Sequence, residues 1–199
     1  RNDPALLHLT IQGEQLSEDS LRRICQALSN NTNIETLTLR NMHFDKSWTP
    51  QWLVPGLVNK RLALILEDCS DDNDSTLARA LAKCVYLKSV IINGCDFEPS
   101  EAWGKIMMDS HSLSELRICY SPSLFAADHK GRLLSITALS RALARNPTLE
   151  ILDLAGNALT DESVSILSQG LIEAHVSQVE LTDTPVPRPH LTHLLLDFN

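Results

Sequence analysis

Apolar residues in this chain keep returning to one spacing, in which a first position is followed three and five residues later by two more. The sets are Leu6/Leu9/Ile11, Ile34/Leu37/Leu39, Arg61/Leu64/Leu66, Leu87/Val90/Ile92, Leu113/Leu116/Ile118, Leu149/Leu152/Leu154, Val176/Val179/Leu181 and Leu191/Leu194/Leu196, with arginine at the first place of the third. The fullest copy runs from Leu149 to Leu159 and reads L-x-x-L-x-L-x-x-N-x-L, with Asn157 at the polar position. Within each set the last two residues are two apart, the period of a strand that buries one face. The sets start at residues 6, 34, 61, 87, 113, 149, 176 and 191, so successive units run 28, 27, 26, 26, 36, 27 and 15 residues. Recurrence at that length predicts an array in which each unit adds one short parallel strand, about seven or eight in all, and neighbours bury one another's ladders.

Between the strands the period lengthens to that of a helix. Leu21/Ile24/Cys25/Leu28, Leu77/Ala80/Leu81/Cys84, Trp103/Ile106/Met107/Ser110, Ile136/Leu139/Ser140/Leu143 and Val164/Leu167/Ser168/Leu171 all follow i, i+3, i+4, i+7. Ser17 supplies a cap for the first, with Glu18 and Asp19 in its first turn. In the second unit Pro50 suits a helix start, but Pro55 and Gly56 follow one turn later, which predicts a short or kinked helix. In the third, Arg61 at the first ladder place leaves two outcomes, Leu62 turning inward or an open corner. The fifth unit carries roughly ten extra residues near 119–132, an inserted loop. Between Val176 and Leu191 a proline-rich stretch, 184–189, replaces the helix and predicts an extended path. We expect one domain over 1–199, of about seven to eight units, ending at Asn199 as a cut through or at the edge of a longer array.

Composition narrows the class. Hydrophobic residues make up 43% and aromatic residues only 5%, as suits a core of stacked Leu, Ile and Val. Seventeen Lys and Arg against 25 Asp and Glu give a net charge of −8, which argues against nonspecific binding to nucleic acid or anionic lipid. No apolar run approaches the roughly 18 residues of a membrane span. No leader of charged then apolar residues follows Arg1, which reads as a cut or processed boundary. Cys25, Cys69, Cys84, Cys95 and Cys119 form an odd set without a C-x-x-C pair, pointing to reduced thiols and an intracellular, cytoplasmic or nuclear, location.

The helix-bearing units, with Cys69 and Cys95 at the polar position that Asn157 holds in the fullest copy, resemble the ribonuclease-inhibitor-like subfamily of leucine-rich repeats. The resemblance implies an α/β fold, a leucine-rich-repeat solenoid with a curved parallel β-sheet on the concave side and α-helices on the convex side. It also implies protein binding through the concave sheet or its edges. That subfamily spans ribonuclease inhibitors, sensor ends of innate-immune receptors, Ran GTPase-activating proteins, and actin regulators such as tropomodulin, so the fold alone does not choose a task.

Alternation along each strand assigns the concave face to the second, fourth and sixth residues after each ladder start. The middle column is Thr10, Thr38, Ile65, Ile91, Arg117, Asp153, Glu180 and Leu195. One flank is His8, Thr36, Ala63, Ser89, Glu115, Ile151, Gln178 and His193, and the other is Gln12, Arg40, Glu67, Asn93, Cys119, Ala155, Thr182 and Asp197. Ile65 and Ile91, with Ala63 beside them, make an apolar spot that suits a partner, although β-branched residues also simply suit a sheet. The candidate partner-binding residues are Arg40, Ala63, Ile65, Glu67, Ile91, Asn93, Arg117, Ile151 and Asp153 on the face, with Tyr120, Phe125 and His129 in the inserted loop.

Chemistry beyond binding has little support in the residues. There is no G-x-S-x-G, phosphate loop or H-E-x-x-H, and the acidic run Asp68, Asp71, Asp72 and Asp74 lacks the glycine and terminal glutamate of a calcium loop. His190 and His193 lack Cys or carboxylate partners at zinc spacing. Cys119 faces the concave side with no base fixed beside it by sequence. We therefore expect no cofactor, no metal and no catalysis. The expected function is a protein–protein interaction module of an intracellular scaffold or regulator, with a GTPase-activating regulator or the targeting array of a bacterial effector as alternatives.

Overall fold

The computed structural model describes residues 5–13, 17–45, 49–72, 75–179 and 191–199. Its strands β1 (His8–Gln12), β2 (Thr36–Arg40), β3 (Ala63–Glu67), β4 (Ser89–Asn93), β5 (Glu115–Cys119), β6 (Ile151–Asp153) and β7 (His193–Leu195) form one open sheet in chain order. Every neighbouring pair is parallel and unshifted, so the ladder positions of successive units lie side by side. Leu37, Leu64, Val90, Leu116 and Leu152 form one inward row, each at most 1% exposed, and Leu39, Leu66, Ile92, Ile118 and Leu154 form the next. Burying one such side chain stabilises by roughly 1.5 to 3 kcal/mol, and a register slip would turn every one outward. The rows loosen at the two ends, where Leu9 and Ile11 are half-buried and Leu194 is exposed.

The strand expected at Val176/Val179/Leu181 is not formed. Val176 and Val179 belong to α6 (Asp161–Val179), and Leu181 lies outside the described residues, as do the proline stretch 184–189, Glu180, Thr182, His190 and Asp74. A spacing of three serves the first step of the ladder and one face of a helix equally well, and no breaker after Gly170 stops the helix already running. β7 pairs directly with β6.

The helices bury one face against the inward rows. They are α1 (Glu18–Asn30), α2 (Val54–Leu57), α3 (Thr76–Leu81), α4 (Ala102–Met108), α5 (Leu134–Leu143) and α6. Ser17 caps α1 by accepting the Ser20 N–H at 3.3 Å. In the second unit a wide π-type turn over Thr49–Leu53 leads into the four residues of α2, because Pro55 has no N–H to give the preceding turn. Arg61 is exposed and Leu62 is 2% exposed, so the leucine takes the vacant corner. Glycine sets the closest helix contacts: a Cβ on Gly104 would lie 2.4 Å from the Ala138 carbonyl oxygen, and one on Gly170 2.3 Å from that of Ser140. Phe44, Phe97 and Trp103 pack with tilted rings in the interior, with centroids 6.4 and 5.5 Å apart, and the Trp103 indole donates to the Glu98 carbonyl at 3.2 Å.

Where the chain leaves each strand, a continuous row of hydrogen bonds crosses the units. The N–H of Cys69 donates to Cys95 Sγ (3.3 Å), that of Cys95 to Ser121 Oγ (3.0 Å), that of Ser121 to Asn157 Oδ1 (2.8 Å), and that of Asn157 to Asn199 Oδ1 (2.8 Å). Each side chain also donates to carbonyls, as when Cys69 Sγ reaches the Leu39 oxygen at 3.4 Å and Asn157 Nδ2 that of Ile118 at 2.5 Å. Backbone groups that no regular ladder would satisfy are thus paired inside the core.

Candidate protein-binding face

The first, third and fifth residues of the strands, which are the second, fourth and sixth after each ladder start, lie on the sheet face away from the helices. Register aligns Thr38, Ile65, Ile91, Arg117 and Asp153 in one row, Thr36, Ala63, Ser89, Glu115, Ile151 and His193 in a second, and Arg40, Glu67, Asn93 and Cys119 in a third. Ile65 and Ile91 are adjacent partners, half-buried, with half-buried Ala63 on the same strand as Ile65. Gln178 lies in α6 and takes no place on this face.

Toward β6 the face becomes a charged network. Arg117 donates to Glu115 at 2.6 Å and to Asp153 at 3.2 Å, while Ser89 Oγ donates to Glu115 at 2.9 Å. Burial pushes the Glu115 carboxyl up, but the hydrogen bonds from Arg117 and Ser89 and the Arg117 charge outweigh it and leave its pKa below the ordinary value. Asp153 is 7% exposed and also accepts the Ala155 N–H at 3.1 Å. Arg40 pairs with Glu67 across β2 and β3. Asn93 stands exposed at the end of β4.

The inserted segment divides into buried and open parts. Pro122–Phe125 forms a 3-10 turn whose Leu124 and Phe125 are buried, so Phe125 pins the loop and offers the solvent little. Tyr120 is 56% exposed and His129 is exposed. Asp128 holds the tip by accepting the Lys130 N–H (2.9 Å), the Arg132 N–H (2.8 Å) and the Arg132 side chain (2.8 Å). Those bonds, led by the Arg132 side chain, pull the Asp128 pKa down to about 2.

Burial, aided by the Asp153 carboxylate, raises the Cys119 thiol to about 11, so it stays protonated near neutrality and is a poor nucleophile. Among the described residues no group of three or more His, Cys, Asp or Glu is placed to hold a metal ion, and no helix is long and apolar enough to cross a membrane. The acidic run diverges: Asp71 is buried, Asp72 meets His43, and Asp68 turns toward Gly94. The His43 contact escaped sequence reasoning. His43 lies 3.0 Å from Ser70 through Nδ1 and 2.8 Å from Asp72 through Nε2, fastening a two-residue ladder of His43–Phe44 with Ser70–Asp71 outside the main sheet. Partners 27 and 29 residues away leave no local signal to read.

No family model matches this chain, and no curated protein does. Among solved structures it is similar to the tropomodulin C-terminal domain of Caenorhabditis elegans, with 14% identity over 90% of this chain and 93% of that one and a TM-score of 0.45. It is also similar to the structure titled leiomodin-1 actin-binding site 2, with 15% identity over 90% of this chain and 88% of that one and a TM-score of 0.43. These neighbours correct the expected place among ribonuclease-inhibitor-like repeats, and with it the grouping of tropomodulin under that subfamily. The units differ too: α3 and α4 have only 6 and 7 residues, where a full outer helix fits the unit length, while the 4 residues of α2 are the short helix that Pro55 and Gly56 predict.

Proposed function

We propose that this chain is a non-catalytic protein-recognition module that receives a protein or peptide partner on the open face of its sheet. The observation that carries the reading is the pair Ile65 and Ile91, aligned on neighbouring strands of a face that no other layer of the described residues covers. Apolar side chains set side by side, with charged neighbours beyond them, have the layout of an interface centre and its rim. Burial on the open face supports a sheet that curves toward that side, as a solenoid with its strands on the concave surface would: Thr38 and Asp153 are 8% and 7% exposed there. The face residues Arg40, Ala63, Glu67, Asn93 and Arg117 lie on the same strands as the pair or on adjacent ones, Ile151 and Asp153 lie farther along the sheet, and Tyr120 and His129 would add contacts from the inserted segment. An intracellular protein partner fits the free thiols.

The test is the double variant Ile65→Glu/Ile91→Glu. It should lose a captured partner while its circular dichroism and thermal midpoint stay close to the parent, because two charges desolvated in a contact cost far more than two charges on an open face. A variant that keeps its partner overturns the assignment to this face.

A further inference from the structure

Every described turn out of a strand from the second unit on places one residue in the left-handed region: Asn41 (φ 49°), Asp68 (52°), Gly94 (63°), Tyr120 (51°), Gly156 (70°) and Phe198 (59°). These residues occupy the same place in successive units, just before the row of Cys69, Cys95, Ser121, Asn157 and Asn199. Glycine accepts that conformation without steric cost, and the chain uses it at 94 and 156. Tyrosine does not, and an aromatic residue held there is a strained outlier. Core packing does not account for it, since Tyr120 is 56% exposed.

The two glycines show how the row is built. A Cβ on Gly156 would lie 2.5 Å from Cδ1 of Tyr120, and one on Gly94 would lie 2.7 Å from Oδ1 of Asp68. Each glycine seats the side chain of the unit before it. One carboxylate and one aromatic ring are thereby held ready along the edge, two strands or about 10 Å apart. Asp96 and Asp197 stand exposed on the same edge. The cations nearest on the sheet are already engaged, Arg40 by Glu67 and Arg117 by Glu115 and Asp153. What this edge offers a partner is negative charge and a ring with an open side.

We propose that this edge docks a lysine- or arginine-bearing segment of the partner protein, with Tyr120 as the aromatic anchor and Asp68, Asp96 and Asp197 as the counter-charges; the proposal rests on the protein-binding reading above. A guanidinium or ammonium group is attracted both to the face of an aromatic ring and to carboxylates beside it. The chain's net charge of −8 steers such a segment in and repels nucleic acid and acidic peptides.

The probes are a short arginine–glycine peptide and its glutamate–glycine counterpart, titrated into the whole chain with amide resonances followed by NMR. The basic peptide should shift residues around Gly94, Tyr120 and Gly156, weaken with added salt, and leave the acidic peptide without effect. Tyr120→Gly should weaken the basic peptide roughly threefold to thirtyfold, the loss of one cation–π contact, while Tyr120→Phe keeps it. The same Tyr120→Gly change should hold or raise the thermal midpoint, because glycine relieves the left-handed residue. A lower midpoint would make the ring a structural prop and overturn the anchor. Asp68→Asn combined with Asp197→Asn leaves the ring in place and should also weaken the peptide; unchanged binding overturns the counter-charges. Equal binding of both peptides, or none of the basic one, overturns the proposal even where Ile65→Glu/Ile91→Glu still abolishes partner capture, so its failure is distinct from failure of the protein-binding reading.

Discussion

The row that crosses the units is made of sulfur in the middle of the array and of amide toward its far end. Cys95 accepts the Cys69 N–H through sulfur, and both thiols donate to carbonyls, at 3.2 to 3.6 Å. Asn157 accepts the Ser121 N–H at 2.8 Å and gives both amide hydrogens to carbonyls, of Ile118 at 2.5 Å and Leu154 at 2.9 Å. Ser121 stands between the two halves, accepting from Cys95 and donating to the Cys119 carbonyl. The position requires a small group that accepts from the unit before it and donates back, and thiol, hydroxyl and amide all comply. They differ in strength: a thiol is a weak donor and acceptor that packs as a small apolar group, whereas an amide left without partners is costly to bury.

The largest expected loss comes from what both halves share. Leu152→Ala removes a fully buried residue of the inward row and should lower stability by about 2 to 5 kcal/mol in chemical denaturation. A loss below about 1 kcal/mol would mean that the row is not what holds the units together. Asn157→Ala strands the Ser121 N–H and two carbonyls in the core and should cost about 2 to 4 kcal/mol by the same measurement. Cys95→Ala, at the equivalent place, should cost only about 1 to 2 kcal/mol, and equality of the two would break the contrast between sulfur and amide.

The smallest effect concerns the inserted segment, which joins the chain at Ser121. The Asp128 pKa is lowered to about 2, below the ordinary value of about 3.9, so the stability its bonds give the loop tip is full above the ordinary value. That contribution should fade as pH drops from about 4 through about 2. A carboxyl-carbon NMR titration with a midpoint near the ordinary value would show that the tip is not held by this residue.

Much of the fold was legible because two periods were printed over each other. The two-residue step of Leu64/Leu66 or Val90/Ile92 fixes a strand and its buried face, and recurrence near 27 residues fixes a parallel neighbour. The reading failed where one spacing has two meanings, at Val176 and Val179, which a helix uses as readily as a ladder does. It was incomplete where the signal lies between units: Ser121 departs from the expected Asn or Cys, and its part in the cross-unit row is visible only once Asn157 stands beside it. Of the candidate face, Ile65 and Ile91 were placed by alternation alone. Phe125 was read as a possible contact because a loop aromatic looks the same in sequence whether it faces solvent or pins the loop. The left-handed row was hidden because Asn41, Asp68, Tyr120 and Phe198 are not the residue that usually marks such a turn.

The glycines between the helices bear on a different property of the curved sheet proposed above, how its bend would be shared among the units. Hydrogen bonding fixes the spacing of the strands at about 4.8 Å, so a two-layer array bends by whatever its helix layer exceeds that width. Ordinary helices need about 8 to 10 Å between axes. Gly104 against Ala138 and Gly170 against Ser140 take a Cβ out of two successive contacts, which lets α4, α5 and α6 crowd together. The units they belong to should fan out least, leaving the sheet flatter beside Arg117 and Tyr120 than a uniform helix layer would make it. An alanine at either glycine would act as a wedge on the outer layer and tighten the arc of the opposite face, changing the shape of a surface it never touches.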